Sequence, residues 1–420
     1  MEMTLGFQRT PAGTIPSDWS VKPLDSMSFV TSGKRLPFGY ELTDRETPHP
    51  YIRVTDMRRG TVSLSEIKYV PVDASPAIKR YRIFKEDIFI SVAGTLGIVG
   101  KIPPELDGAN LTENADRITN ICCSQDFLLH VLLSPLIQGT IDSLRTVGAQ
   151  PKLALTRIRR FLIPLPATRA EQEAIATALG DTNALIESLE QLLGKKRRIK
   201  QGAMQELLTG KKRLPGFTGE WEVKRLRTTA VLKARIGWQG LTTAEYRESG
   251  EYYLVTGTEF EEGRIDWSRC HYVDESRYRQ DKFIQLKKHD VLVTKDGSIG
   301  KIALVAELPG PATLNSGVFV IRPVGEAFHA QFFYYLLCSK VFEDFLAQLS
   351  AGSTISHLYQ KDFIGFSYRT PATVKEQVAI ADLLSDLDAE LAALEAKVVK
   401  ARELKQGMMQ ELLTGRIRLV

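Results

Sequence analysis

The chain has 420 residues, a net charge of +5 and 43% hydrophobic residues, enough to bury two cores of roughly 160 residues each. No apolar run approaches the ~18–20 residues that span a bilayer. The opening Met1-Glu2-Met3-Thr4-Leu5 has neither the basic nor the apolar stretch of a signal peptide, so a cytoplasmic protein is expected. Cys122, Cys123, Cys270 and Cys338 show no C-x-x-C spacing and read as reduced, buried thiols.

Residues 1–167 read as a first β-rich domain with some helix. Short runs such as Tyr51 to Thr55 and Asp87 to Ser91 are strand-like and bounded by glycine turns. Gly94-Thr95-Leu96-Gly97 follows one of them and reads as a hairpin turn, since no helix opens after it to cradle a phosphate. Phe127 to Arg145 reads as a helix interrupted by Pro135.

Residues 168–210 read as one long helix of about 42 residues, or ~63 Å. Ile175, Leu179, Ile186, Leu189, Leu193 and Leu207 fall at the three-and-four spacing of a coiled-coil seam. Thr168 with Glu171 has capping-box spacing, and Gly210 marks the stop. Lys195, Lys196, Arg197, Arg198, Lys200, Lys211, Lys212 and Arg213 share their stretch with one acid, Glu206. Such a run is either a solvated helix face or a polyanion contact.

Residues 211–372 repeat the first pattern: Tyr252 to Thr256 and Val291 to Thr294 as strands, Gly297-Ser298-Ile299-Gly300 as the turn, and Gln331 to Leu346 as a helix. Residues 373–415 repeat the long helix, with its seam at Ile380, Leu384, Leu387, Leu391, Leu394, Val398, Ala401, Met408 and Leu412. Residues 416–420 form a short tail.

Residues 166–210 recur as 371–415 with no gap and more than half of the positions identical. The domains before them have diverged much further, although Trp19 answers Trp221, Gly60 answers Gly263 and Gly148 answers Gly352. A period of half the chain is too long for a solenoid repeat. The C-terminal Thr414-Gly415-Arg416 followed by Gly6-Phe7 and Trp19 approximates the middle junction Thr209-Gly210-Lys211, Gly216-Phe217 and Trp221. The organisation is therefore circular, with adjacent termini and antiparallel helices. Gly202 and Gly407 recur inside both helices and imply either close backbone packing or softened last turns.

Catalytic signatures are missing from the sequence. It has no N-P-P-[FY] or D-P-P-[FY] element of an amino-methyltransferase, no Walker A glycine spacing, and no H-x-x-x-H pair. Non-enzymatic function is expected.

Two diverged domains, two matched helices, the entries Glu171-Gln172 and Glu376-Gln377, and the paired Q-E-L-L-T-G exits at residues 205–210 and 410–415 together resemble one family. It is that of the specificity subunits of type I restriction–modification systems. The resemblance implies an α+β chain of two target recognition domains, each reading one half of a bipartite, asymmetric double-stranded DNA site. It implies that the paired helices set the gap and dock two modification (methyltransferase) subunits, joined by a restriction subunit with motor and nuclease. The chain itself would need no cofactor: S-adenosylmethionine and base flipping would belong to the methyltransferase.

Candidate reading residues are those able to contact base edges or phosphates from polar loops. They are Lys34, Arg35, Arg53, Arg58, Arg59, Gln150 and Lys152 in the first domain. In the second they are Trp238, Gln239, Lys295, Ser353, Thr354, Ser356 and His357. Two other readings stay open on sequence: a coiled-coil scaffold binding proteins through its end domains, and a methyltransferase with an unrecognised catalytic centre.

Overall fold

The computed structural model describes residues 6–143, 152–350 and 357–419. The chain divides into two compact units, Met1–Glu190 with Lys397–Val420 (unit 1), and Gln191–Ala396 (unit 2). Each is α+β.

In unit 1 a four-stranded antiparallel sheet has the order Val99–Lys101, Ile88–Ser91, Ala115–Thr119, Phe29–Ser32. Every residue of Ile88–Ser91 is buried, because both faces of this inner strand are covered. Ile88 and Ile90 face a core shared with helices, while Phe89 faces a second core with Ile52, Ile83 and Leu111. That second core is built on a sheet of order Lys68–Tyr69, Pro50–Ile52, Ala109–Leu111, Arg82–Ile83, whose central pair is parallel. The strand predicted from Tyr51 to Thr55 is shorter than expected, because Asp56 draws the chain at Arg53 into a 3-10 turn over Val54–Asp56.

Unit 2 has the same plan. Its sheet order is Ala230–Lys233, Val318–Pro323, Val291–Thr294, Ile302–Leu304. Val291 and Val293 face the helical core, and Leu292 faces the other. A second sheet again contains one parallel pair, Tyr252–Val255 with Ala312–Leu314. The G-T-L-G and G-S-I-G segments are hairpin turns. Gly94, Gly97, Gly297 and Gly300 all have positive φ, and the hydroxyls of Ser91 and Thr294 close the turns on the carbonyls of Thr95 and Ser298 at 2.6 and 2.5 Å.

Each unit sets two short helices beside its sheet: Gln125–Leu133 and Pro135–Ser143, and Ala330–Leu337 and Lys340–Leu349. The single helix expected from Gln331 to Leu346 is broken at Ser339, whose hydroxyl caps the second piece by accepting from Val341 N–H at 3.3 Å. The four cysteines are unpaired, and Cys122 is exposed, so the expectation of buried thiols fails there.

The long helices span Arg169–Leu207 and Val374–Leu412, and both contribute to each unit. In unit 1 Thr182 meets Met408 at 3.3 Å and Glu190 pairs with Arg402 at 2.5 Å. In unit 2 Lys196 pairs with Glu390 and Arg197 with Glu395, both at 2.6 Å, and Lys200 pairs with Asp388. From Thr182 to Glu190 the partner steps back from Met408 to Arg402, and from Lys196 to Lys200 it steps back from Glu390 to Asp388, so within each unit the helices run antiparallel. A Cβ on Gly202 or Gly407 would meet nothing within 4 Å, so close packing does not account for these two glycines.

The capping boxes are only half made. Thr168 accepts the Glu171 N–H at 3.2 Å and Thr373 accepts the Glu376 N–H at 3.4 Å, but the two carboxylates turn elsewhere. Glu376 takes Arg213 in a bidentate pair at 2.5 and 2.6 Å. Glu171 takes Arg418, which also forks onto Asp18 at 3.0 and 2.9 Å. The glutamines beside them tie domain to helix. Gln172 accepts from Ser124 N–H at 2.9 Å and Gln377 from His329 N–H at 2.8 Å, each also donating to the proline carbonyl six residues back.

The Q-E-L-L-T-G exits are equally structural. Leu207, Leu208, Leu412 and Leu413 are buried. Gly210 and Gly415 turn with φ +70° and +68°, and a Cβ there would lie 3.0 Å from Trp221 and 2.5 Å from Pro16. The C-terminal tail thus closes unit 1 against Asp18 and Trp19 as the middle junction closes unit 2 against Trp221.

Candidate nucleic-acid interface

The equivalent sheets end in equivalent places. In unit 1 the strands bring Ser32, Ser91 and Ala115 to one end. Gly33 N–H donates to the Ala115 carbonyl at 2.9 Å and Lys34 N–H to the Leu111 carbonyl at 2.8 Å, so the Lys34–Arg35 segment leaves from this end. Both side chains are exposed, with Arg35 paired to Glu113 at 3.2 Å and Lys34 5.9 Å from the Tyr81 ring. Lys152 joins them there, because its backbone bridges Ala93 just beyond Ser91. Beneath lies Asp116, which is buried and accepts from the Ser32 hydroxyl at 2.7 Å. Burial holds its carboxyl above the usual range.

In unit 2 the same end gathers Gln239, Lys295 and His357. Lys295 N–H donates to the Gly317 carbonyl and its own carbonyl accepts from Leu358 N–H, both at 2.8 Å. His357 bridges Asp296 through the backbone, as Lys152 bridges Ala93, and its Nδ1 pairs with the Asp296 carboxylate. Tyr359 lies 4.5 Å from the His357 ring and is 54% exposed. Gln239 ends the 3-10 turn Gly237–Gln239 that also holds Trp238. Its Oε1 is buried without a hydrogen-bond partner.

The remaining candidates lie elsewhere. Arg53 is bound to Asp56 at 2.6 Å and to the Glu66 carbonyl at 2.7 Å, and so shapes its own turn. Arg58 folds onto the carbonyls of Thr55 and Met57 at 2.8 and 2.9 Å. Arg59 reaches toward the helices of unit 1, 3.5 Å from the Leu133 carbonyl. Gln150, Ser353, Thr354 and Ser356 lie outside the described residues, as does the Trp238 side chain. Sequence reasoning passed over Arg80, Tyr81, Asp116 and Tyr359. The tyrosines could have been noticed as aromatic residues adjoining or near cations, Arg80 and Arg82 around Tyr81 and Lys361 near Tyr359, the composition of single-strand and base-stacking surfaces.

Each unit also has a cleft between its domain and the long helices, about 720 Å³ in unit 1 and about 930 Å³ in unit 2. Helix positions repeat between them, Gly180, Asn183 and Lys405 answering Ser385, Asp388 and Lys200, but the charges differ. In unit 2 the lysine is neutralised by Asp388, and Glu261 and Glu262 stand at the rim. In unit 1 Arg59 takes the rim. Burial and the Arg59 charge pull the Lys405 ammonium below its ordinary pKa. Burial also drives His130, whose Nδ1 has no partner, down to about 4, with Lys405 adding to the effect. Among the described residues no cluster of His, Cys, Asp or Glu is arranged to hold a metal.

Two stretches of the chain, residues 16–198 and 219–401, match the family model of the type I restriction modification DNA specificity domain. The chain belongs to that family. The two matches fall on the two repeats, so the specificity domain includes a recognition unit and most of the helix that follows it. The putative type I restriction enzyme MjaX specificity subunit of Methanocaldococcus jannaschii is 24% identical over 98% of this chain and 97% of its own length. The EcoBI specificity subunit of Escherichia coli is 23% identical over 96% of this chain and 86% of its own. The fold is that of the type I restriction–modification S subunit from M. genitalium, with a TM-score of 0.59 at 16% identity over 98% of this chain and 99% of the other. No described helix is long and apolar enough to cross a membrane.

Proposed function

We propose that this chain is the DNA-reading subunit of a type I restriction–modification complex in the cytoplasm. Each unit reads one half of a bipartite asymmetric site, and the antiparallel helices fix the gap and dock two methyltransferase subunits. Methyl transfer with S-adenosylmethionine, and cleavage by a motor-nuclease subunit, belong to those partners. One observation carries the reading. Two specificity-domain repeats share a sheet plan and both end it in polar, cation-bearing loops, yet the side chains at that end differ: Lys34, Arg35 and Lys152 against Gln239, Lys295 and His357. Base-edge contacts carry sequence information, so different side chains on one scaffold read different half-sites.

The test is an exchange of residues Trp221 to Arg369 for the corresponding segment of another family member, followed by methylation mapping of a genome exposed to the assembled complex. One half of the methylated site changes, and the other half and the gap persist. A change in both halves refutes independent reading. Methyl transfer by the purified chain alone would refute the non-catalytic assignment, and sequence-independent association through proteins alone would favour a scaffold.

A further inference from the structure

The loop between Ser32 and Pro50 in unit 1 carries an aromatic ring that the fold does not use. Its root is fixed backbone on backbone, since a Cβ on Gly33 would fall 2.1 Å from the Thr112 carbonyl oxygen. The Tyr51 hydroxyl donates to the Lys34 carbonyl at 3.0 Å. Beyond the root, Leu36 and Leu42 pack on a small core of Tyr51, Val70, Ala74 and Ile78, with Tyr81 against the same core. Between these two leucines the chain reverses: Tyr40 N–H donates to the Pro37 carbonyl at 3.2 Å, and Gly39 has φ +85°. A glycine with positive φ at the third position is the requirement of a type II turn. Phe38 occupies its corner and is 106% exposed, more than any other large apolar side chain among the described residues.

A lone exposed apolar residue is ordinary, but the setting of this one is not. Lys34 and Arg35 stand on the same loop, and Lys79 and Arg80 on the segment beneath it, all four exposed. The Lys34 ammonium and the Arg80 guanidinium lie 5.9 and 5.7 Å from the Tyr81 ring centre. The acids of the loop, Glu41, Asp44 and Glu46, all follow the turn, Asp44 pairs with Lys68, and Glu113 pairs with Arg35. A rim of cations attracts a polyanion. An apolar ring thrust out on a rigid turn among such cations has the form of side chains that wedge between base pairs. The anchors on both sides of the turn also mean that little order is lost when the ring is engaged.

We propose that Phe38 inserts into the DNA duplex and stacks on a base at the half-site read by unit 1. This rests on the DNA-reading function proposed above and adds a contact that loosens one base step.

The probe is a duplex selected from a random-sequence pool on the full chain in its native assembly. Phe38→Ala is expected to bind it roughly five- to 150-fold more weakly, the range for losing one base–aromatic stack, with an unchanged melting temperature because the ring packs on nothing. Phe38→Trp keeps the affinity, and its added fluorescence is quenched by the duplex. Permanganate oxidises thymines at one loosened step in the wild-type complex and no longer does so with Phe38→Ala. Equal affinity of Phe38→Ala with no quenching of Phe38→Trp overturns insertion and leaves DNA reading intact. Weaker binding without quenching or permanganate reactivity also overturns it, assigning the ring to a contact outside the stack. An assembly that enriches no duplex overturns both proposals.

Discussion

Replacing Arg418 by alanine removes a side chain of the short C-terminal tail, yet it should destabilise unit 1 severely. The guanidinium is the hydrogen-bond partner of the Glu171 carboxylate, and Glu171 is only 2% exposed. It also lies 5.8 Å from the ring of Trp19, whose indole N–H is buried without a partner. Stripping the cation from a buried carboxylate leaves an uncompensated charge, which costs about 3–5 kcal/mol. For a unit of about two hundred residues, each kcal/mol shifts melting by about 2–4 °C. The first unit's transition should therefore fall by about 6–20 °C in calorimetry, with the second unit's transition unmoved. Glu171→Gln in the same molecule removes the stranded charge and should restore most of the loss. Arg213→Ala is milder and confined to unit 2, because Glu376 keeps the Trp221 indole N–H as a donor at 3.4 Å. The reasoning is refuted if Arg418→Ala melts like wild type, or if Glu171→Gln brings no recovery.

His130 gives unit 1 an acid-sensitive core: its folded pKa is about 4 against an ordinary 6.5, so its neutral form is favoured by folding. Stability from this group is complete above pH 6.5 and falls by up to about 1.4 kcal/mol per pH unit between 6.5 and 4. In His130→Gln that part of the slope should vanish in pH-dependent melting. Lys195→Glu with Arg198→Glu, two exposed cations of the basic stretch that form no ion pair among the described residues, should weaken binding alike on all duplexes and lower the salt slope by about 0.9 per lost phosphate contact. Lys196→Glu with Arg197→Glu should instead lower the melting temperature of unit 2, because Glu390 and Glu395 would then face like charges. Duplicating Gln205-Glu206-Leu207-Leu208 adds about 6 Å of helix and a rotation of about 40° beyond a turn. One extra base pair, at roughly 34–36°, matches that angle best, so methylation mapping should show unchanged half-sites with a gap one base pair longer.

The long helices were legible because their signals are local: a heptad seam, a threonine cap, a glycine stop, and no internal proline. What those residues do for one another was not. Glu171 has the spacing of a capping box, and Thr168 does cap the helix, but the carboxylate answers an arginine 247 residues away. The basic stretch shows the same limit. In sequence Lys196, Arg197 and Lys200 read as either a solvated face or a polyanion contact, and the antiparallel helix instead sets Glu390, Glu395 and Asp388 opposite them. All of these acids are in the sequence, but only the register of the helix pair reveals whom they face. Phe38 was passed over for the opposite reason. In sequence it is one aromatic in a loop, and only the anchored turn shows that nothing covers it.

The reading ends were the least legible, and the two units show why. Lys152 and His357 hold the same backbone bridge to the residue that opens the hairpin turn, Ala93 in one unit and Asp296 in the other. The bridge, the turn glycines and the hydroxyl that closes the turn are common to both, because the sheet needs them. The side chains carried there are not, because no core contact constrains them. In unit 1 the position offers a free lysine above a buried Asp116, and in unit 2 an imidazole held by a carboxylate beside an exposed tyrosine. Packing fixes the address of each proposed reading residue, while its chemistry is left to vary. That separation lets one fold, used twice in a chain, address two different halves of a site.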